Sequence, residues 1–384
     1  MRAALTLALA LSVASPAAAQ VGTRAAVPFE VPERYRWVDP TGGERTRPVS
    51  VVPVASIAIK DPVVFSLKGA ETSLTVVVSP IRPGIRGTLR LELPKGWSAS
   101  PTVQTIVCDS TLSDRTAVFR LTPGNGAADG TVRAVLESEG RRSAHTLVSM
   151  SYPHLEPQTY LEPAEAKLLV LDLAATPLRI GYITGSGDGI AQILSRIGYQ
   201  VELLSDDDIE TGDLSVYDAI VTGVRAHNTR HVLSRSYECL MQYVAGGGRY
   251  IVQYVTRQQL PSVSLGPWPF TISSDRVSVE AAPVTMLNPE HPLLVYPNRI
   301  SQHDFEGWVQ ERGLYFATGW DARYDTVLVS ADPGEQQHAG GLLYGRYGKG
   351  YFIYTGYSWF RQLPAGVPGA FRLFVNLLSQ ETGR

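Results

Sequence analysis

A change of hydrophobic period at Pro177 constrains this chain more than any other feature. Before it, short apolar runs alternate with polar residues at a period of two. After it, buried-strand runs are separated by stretches whose apolar residues recur three and four positions apart. A strand buries every second residue and a helix buries one stripe, so the two patterns call for different layers. Two domains of different class are therefore expected, joined near that proline.

On the N-terminal side, residues 63–67, 73–78, 87–93, 117–121 and 130–135 read as strands. Leu89, Leu91 and Leu93 alternate with Thr88, Arg90 and Glu92, and Gly96, Gly126 and Gly140 mark turns between the runs. This spacing predicts an immunoglobulin-like β-sandwich over residues 56–153. Residues 20–55, rich in Pro, Arg and Gly, read as a lead-in. Residues 154–177 carry Pro157, Pro163 and Pro177 and read as a linker, in which 168–173 adds at most an edge strand.

On the C-terminal side, runs at 178–183, 201–204, 218–221 and 250–255 are separated by turns or amphipathic stretches. Ile190, Ile193, Leu194 and Ile197 form one apolar stripe; Tyr237, Leu240, Met241 and Val244 form another. This rhythm predicts a flavodoxin-like parallel sheet over residues 178–384. The stretch 256–331, rich in Pro and aromatic residues, breaks the rhythm, and a hairpin around Gly348 and Gly350 and a closing helix from Ala370 restore it.

The first nineteen residues read as a signal peptide. Arg2 precedes an apolar run from Ala3 to Ala14, and Ala17, Ala18 and Ala19 suit cleavage before Gln20. That run is too short to span a bilayer, and no later run is apolar enough, so a periplasmic or secreted protein with no integral membrane segment is expected. A formal charge of −2 without a Lys/Arg block argues against nucleic-acid binding. Cys108 and Cys239 fall in different predicted domains and read as two buried thiols, with a disulfide between them left open.

In a parallel sheet, ligands meet the loops beyond the carboxyl ends of the strands. The loop at Gly185, Gly187 and Gly189 lacks the third glycine of a dinucleotide fingerprint, where Ile190 stands; it reads as a tight turn, and no cofactor is expected. Arg225, His227, Asn228 and Arg230 follow the third strand and can clamp a carboxylate or sugar hydroxyls; equally, Asn228 and Thr229 can cap the next helix. Ser358, Arg361 and Gln362 follow the last strand, and Ser358 lacks the second glycine of a nucleophile elbow. Asp304 and Glu306 flank an acid–base alternative beside His303, while Trp308, Trp320 and Trp359 offer stacking faces or core packing. His291 and His338 are isolated and read as surface or capping residues, and no metal-ligand set stands out.

From His154 onward the chain resembles the C-terminal region of exported PIG-L/LmbE-type deacetylase-family proteins. The segments carrying the resemblance are 218–230, 304–316 and 354–370. The resemblance implies a class I glutamine-amidotransferase-like, ThuA-like α/β domain. Residues 93–97 are similar to a β-sandwich associated with α-galactosidases and carbohydrate-binding modules. The departures are chemical. The deacetylase's metal-binding His-Pro-Asp-Asp motif is missing, since His291-Pro292 continues as Leu293-Leu294. The amidotransferase thiol is missing too: Thr256 and Arg257 stand at the expected elbow and no His-x-Glu pair follows. The resemblance thus implies a non-catalytic accessory protein with a carbohydrate or cell-envelope ligand, companion to a separate deacetylase subunit. The alternative is a carbohydrate-active hydrolase using Asp304 and Glu306. N-terminal sequencing of the protein from the producing cell is expected to begin at Gln20; an intact Met1 would refute export by this segment.

Overall fold

The computed structural model describes residues 30–109, 112–152, 154, 158–260 and 264–379. The expected signal peptide and its cleavage site lie outside the described residues, as do residues 20–29 of the expected lead-in.

Two sheets face each other across one apolar core. The first runs in the order Ala55–Ile59, Thr72–Pro80, Arg115–Pro123, Trp97–Ser100. The second runs Val63–Leu67, Glu165–Leu171, Gly130–Ser138, Ile85–Glu92, Val103–Cys108, with Arg141–Ser143 paired to Gly130–Ser138. Ile57, Leu74, Val76 and Phe119 from the first sheet pack against Leu89, Ala134, Leu136 and Leu168 from the second. These are the inward residues that a period of two places on one face.

Within the expected lead-in, Glu30–Asp39 and Gly43–Ser50 form an antiparallel hairpin. Its turn is closed by the Asp39 carboxylate, which accepts the N–H groups of Thr41 and Gly42 at 2.8 and 2.7 Å. The linker is shorter than expected. Gln158–Pro163 pairs with His145–Met150, and Glu165–Leu171 lies inside the second sheet rather than at its edge. It pairs antiparallel with Gly130–Ser138 and parallel with Val63–Leu67. The reason it escapes a period-two reading is physical. Ala166 and Leu168 face the sandwich core, while Leu169 and Leu171 face the other domain, so both faces are apolar.

The second domain is a seven-stranded mixed sheet. Its order is Gln200–Leu203, Arg179–Ile183, Ala219–Thr222, Arg249–Gln253, Gly350–Thr355, Leu342–Tyr347, Asp325–Thr326. The first five strands are parallel; the last two are antiparallel additions. Ile190–Ile197 buries its predicted stripe and ends at Gly198, which adopts φ 110° as a left-handed cap that a Cβ would strain. Tyr237–Gly246 buries Leu240, Met241, Tyr243 and Val244. Cys239, in the first turn of that helix, is exposed, which corrects the expectation of two buried thiols; Cys108 is buried, burial pushes its thiol pKa up, and both are free. Pro368–Leu378 closes the domain with an almost wholly buried helix.

The two domains share a core. Val63, Phe65, Leu169 and Leu171 of the sandwich belong to the same buried cluster as Ile193, Leu363, Phe371 and Phe374. Phe65 meets Phe371 edge-on with centroids 5.3 Å apart. Lys167 donates to the carbonyls of Ala365 and Gly366 at 3.2 and 2.8 Å, and Arg196 donates to Val63 at 2.8 Å. Gly366, at φ 66°, sits so close that a Cβ would stand 2.8 Å from both Leu169 and Val63. Phe65→Ala removes the sandwich-side ring of this seam and leaves Phe371 without its partner, and should cost about 3–5 kcal/mol in denaturant unfolding. A loss below about 1 kcal/mol, the range of an unremarkable surface change, would show that the seam is not a true core.

Candidate functional site

The parallel strands end nearly level. Ile183 lies opposite Thr222, Thr222 opposite Val252, and Gln253 opposite Thr355. The loops that follow therefore open on one edge, as a parallel sheet requires.

The first loop is closed by its own carboxylate. Asp188 Oδ1 accepts the Tyr182 hydroxyl at 2.5 Å and the Ile190 N–H at 3.1 Å; Oδ2 accepts the Val224 N–H at 3.0 Å. The N-terminal N–H groups of a helix attract an anion. Here Asp188 takes that position, and Gly185 leaves no room beside it, since a Cβ there would stand 2.1 Å from the Val224 carbonyl. The loop is a packed turn.

The loop after the third strand places its residues unequally. Arg225 is a left-handed residue, φ 59° and ψ 22°, at the sharp turn between Ala219–Thr222 and Ala226–Thr229. Its N–H is held by Tyr254 O at 3.0 Å, while its side-chain Nε is buried without a hydrogen-bond partner. A non-glycine residue in this region and an unpaired buried N–H both raise the energy of the folded state. His227 turns inward, with Nε2 2.8 Å from the Tyr250 hydroxyl. Asn228 caps no helix. It ties two loops together, accepting the Thr256 N–H at 2.9 Å and donating to the carbonyls of Thr256 and Gln258 at 2.9 and 3.1 Å. Arg230 pairs with Asp206.

The remaining expected site residues are engaged in structure. Asp304 is buried, caps the turn begun by Ser301 and pairs with Arg372 Nε at 2.9 Å. Glu306 points to solvent and meets His303 at 3.0 Å. The two carboxylates therefore do not converge, and neither joins Arg225 or Arg361. Trp308 is core: its Nε1 donates to Asp304 O at 3.1 Å, and its ring packs edge-on against Trp359 at 5.5 Å and under the Arg312 guanidinium at 5.3 Å. Gln362 is fully buried and bonds the backbone of Val309 and Glu311. Ser358 is buried and donates to Glu311 at 3.3 Å. His291 caps Pro292–Val295 through Leu293 N but is buried, not at the surface.

What the edge does gather is an aromatic cluster that sequence reading missed. Tyr254 and Tyr315 stack with centroids 5.8 Å apart and planes 6° from parallel, and Phe360 tilts against Tyr254 at 5.3 Å. All three rings are half-buried. Arg361 pairs with Glu311 at 2.7 Å and lies 4.8 Å above the Phe360 ring. Burial raises the Tyr254 hydroxyl pKa; the charges acting on it include Arg225 and Arg361, which lower it, and Glu311, which raises it. Arg361 is thus balanced by a carboxylate, whereas no ion pair forms to Arg225 among the described residues. Gln310 and Tyr315 share Arg225's positive φ, at 66° and 57°. No motif signals this arrangement, because Tyr315 reaches the edge only through the fold of the long excursion.

His227 makes an acid-sensitive contribution to stability. Burial lowers its pKa from 6.5 to about 4. Between those values the unfolded chain binds the extra proton, so the contribution is complete above pH 6.5 and is lost as pH falls toward 4. Its size is about 3 kcal/mol. His227→Gln should therefore flatten the dependence of Tm on pH between about pH 7 and about pH 4.5 relative to wild type. Equal slopes would assign the acid sensitivity to other groups.

No family model matches this chain, and no curated protein does. Among solved structures it is similar to a cold-adapted β-galactosidase from Rahnella sp. R3, at 13% identity and TM-score 0.33, over 53% of this chain and 31% of that one. It is similar to an exo-β-1,4-mannosidase from Opitutaceae bacterium strain TAV5, at 11% identity and TM-score 0.34, over 54% and 36%. It is also similar to a Salmonella enterica SafA pilin in complex with the SafB chaperone, at 11% identity and TM-score 0.21, over 33% and 60%. The aligned region spans about a third of the length of the two glycosidases.

Proposed function

We propose that this chain is an exported, non-catalytic accessory protein that binds a carbohydrate or another cell-envelope ligand at the carboxyl edge of its parallel sheet, as companion to a separate PIG-L-type deacetylase. In this reading the sandwich is immunoglobulin-like and the second domain is amidotransferase-like, with its chemistry removed. The strand order supports that assignment: the second strand, the first, the third and the fourth lie side by side, as in doubly wound folds. The elbow expected to carry a thiol supports the loss of chemistry. After Arg249–Gln253 the chain continues as Tyr254, Val255 and Thr256.

One observation carries the binding reading. The Tyr254–Tyr315 stack stands half-exposed beside Arg225, whose Nε is buried and unpaired. Aromatic faces hold the apolar faces of sugar rings, and a guanidinium holds a carboxylate by two parallel hydrogen bonds. An acidic saccharide, such as a uronic acid or a carboxylated peptidoglycan fragment, would supply both partners, a ring face for the tyrosines and a carboxylate for the guanidinium. A hydrolase built on Asp304 and Glu306 finds no such support, because Arg372 and His303 occupy those carboxylates.

A thermal-shift panel of neutral sugars, uronic acids and peptidoglycan fragments tests the reading. At least one acidic member should raise the Tm of wild type. Arg225→Ala should abolish that shift, and Tyr315→Ala should weaken binding about tenfold. If every ligand that shifts wild type shifts Arg225→Ala equally, the edge is not the site.

A further inference from the structure

A second concavity lies between the excursion and residues 332–340 and shares no residue with the edge cluster. Two adjoining cavities, about 530 and about 330 Å³, have Asp275, Gln336 and His338 in common and so form one groove. Trp320 lines one end. Asp332 and Glu335 line the other.

The walls are fixed by backbone bonds. His338 exchanges N–H···O bonds with Ser330 at 2.9 and 3.1 Å. The Asp332 carboxylate accepts the N–H groups of Ser278 and Val279 at 2.9 and 2.8 Å. Ser273 Oγ accepts the Asp275 N–H at 2.9 Å and donates to Phe316 O at 2.8 Å. The His338 ring stands edge-on to Phe316 at 6.2 Å, and its Nδ1 lies 3.5 Å from Asp275 Oδ2. Trp320 packs against the domain core yet is only half-buried. The Gln336 and Gln337 side chains are exposed and have no hydrogen-bond partner among the described residues. A rigid groove with one held indole, two free amides, a carboxylate and an imidazole has what a sugar chain needs: a stacking face and paired donors and acceptors for hydroxyls.

We infer that this groove is a second saccharide site, specific for a neutral or amino-bearing oligosaccharide. Its charge excludes the acidic ligands proposed for the edge. Asp275, Asp332 and Glu335 line it against the single guanidinium of Arg276, so a uronate would meet like charge. An amine would find both a carboxylate and an indole face. The inference does not depend on the edge site, and either can fail alone.

Calorimetric titration of the full chain with three probes tests it: an oligomer of glucosamine, its N-acetylated counterpart and an oligomer of galacturonic acid. Wild type should bind the first two, and in the Arg225→Ala variant, where the edge no longer takes a uronate, the third should not bind. Trp320→Ala should weaken that binding about tenfold. The exposed double variant Gln336→Ala/Gln337→Ala should weaken it with unchanged Tm, so that a misfolded Trp320→Ala protein cannot decide the result. Asp275→Asn should reduce the preference for the amine. Arg225→Ala should leave binding of the first two unchanged. Failure of wild type to bind either of the first two probes, or equal binding by the double variant, overturns the site. Loss of their binding in Arg225→Ala would place them at the edge instead.

Discussion

Val63–Leu67 and Glu165–Leu171 bury side chains on both faces, and the relation between the two domains depends on that double burial. Val64 and Leu168 fill the sandwich, while Phe65 and Leu169 fill the seam against the closing helix. An apolar surface of this kind cannot face water without losing about 25 cal/mol for each Å² exposed. Neither domain could turn away from the other without paying that cost. The polar contacts at the seam are secondary: Lys167 and Arg196 reach backbone carbonyls, and burial lowers the pKa of both cations.

Behind that seam, the parallel sheet presents an edge whose loops serve different ends. Asp188 and Asn228 spend their hydrogen bonds inside the protein and make the edge stiff. Stiffness lets strain persist, and Arg225, Gln310 and Tyr315 are held at positive φ beside the aromatic stack. The excursion adds short antiparallel pairs, such as Thr271–Ile272 with Ala317–Thr318 and Val284–Met286 with Leu328–Ser330. They carry Tyr315 to the edge and form the walls of the groove around Asp275 and His338.

The amphipathic helices and the alternating strands were legible because local periodicity and burial agree there. Ile190, Ile193, Leu194 and Ile197 are buried as their spacing requires, and so are Leu74, Val76 and Val78. Glu165–Leu171 was hidden because a strand buried on both faces has no alternation. Cys239 was misjudged because a place within an amphipathic helix does not by itself say how far the rest of the fold covers that side chain. Among candidate site residues, position along the chain said which loop each occupies but not which way its side chain turns. His227 and Asn228 turn inward, while their neighbour Arg225 forms no ion pair among the described residues.

The sequence by itself determined that two classes of layer follow one another along the chain and where the glycine caps and turns fall. These follow from local rules of period and conformational freedom. Tertiary structure alone decided that Asp304 pairs with Arg372, that Trp308 and Gln362 are core, and that Tyr254, Tyr315 and Phe360 assemble beside Arg225. Those pairings join residues tens of positions apart. Their partners are chosen by which surfaces the packed sheets bring together, and no local pattern in the chain records that choice.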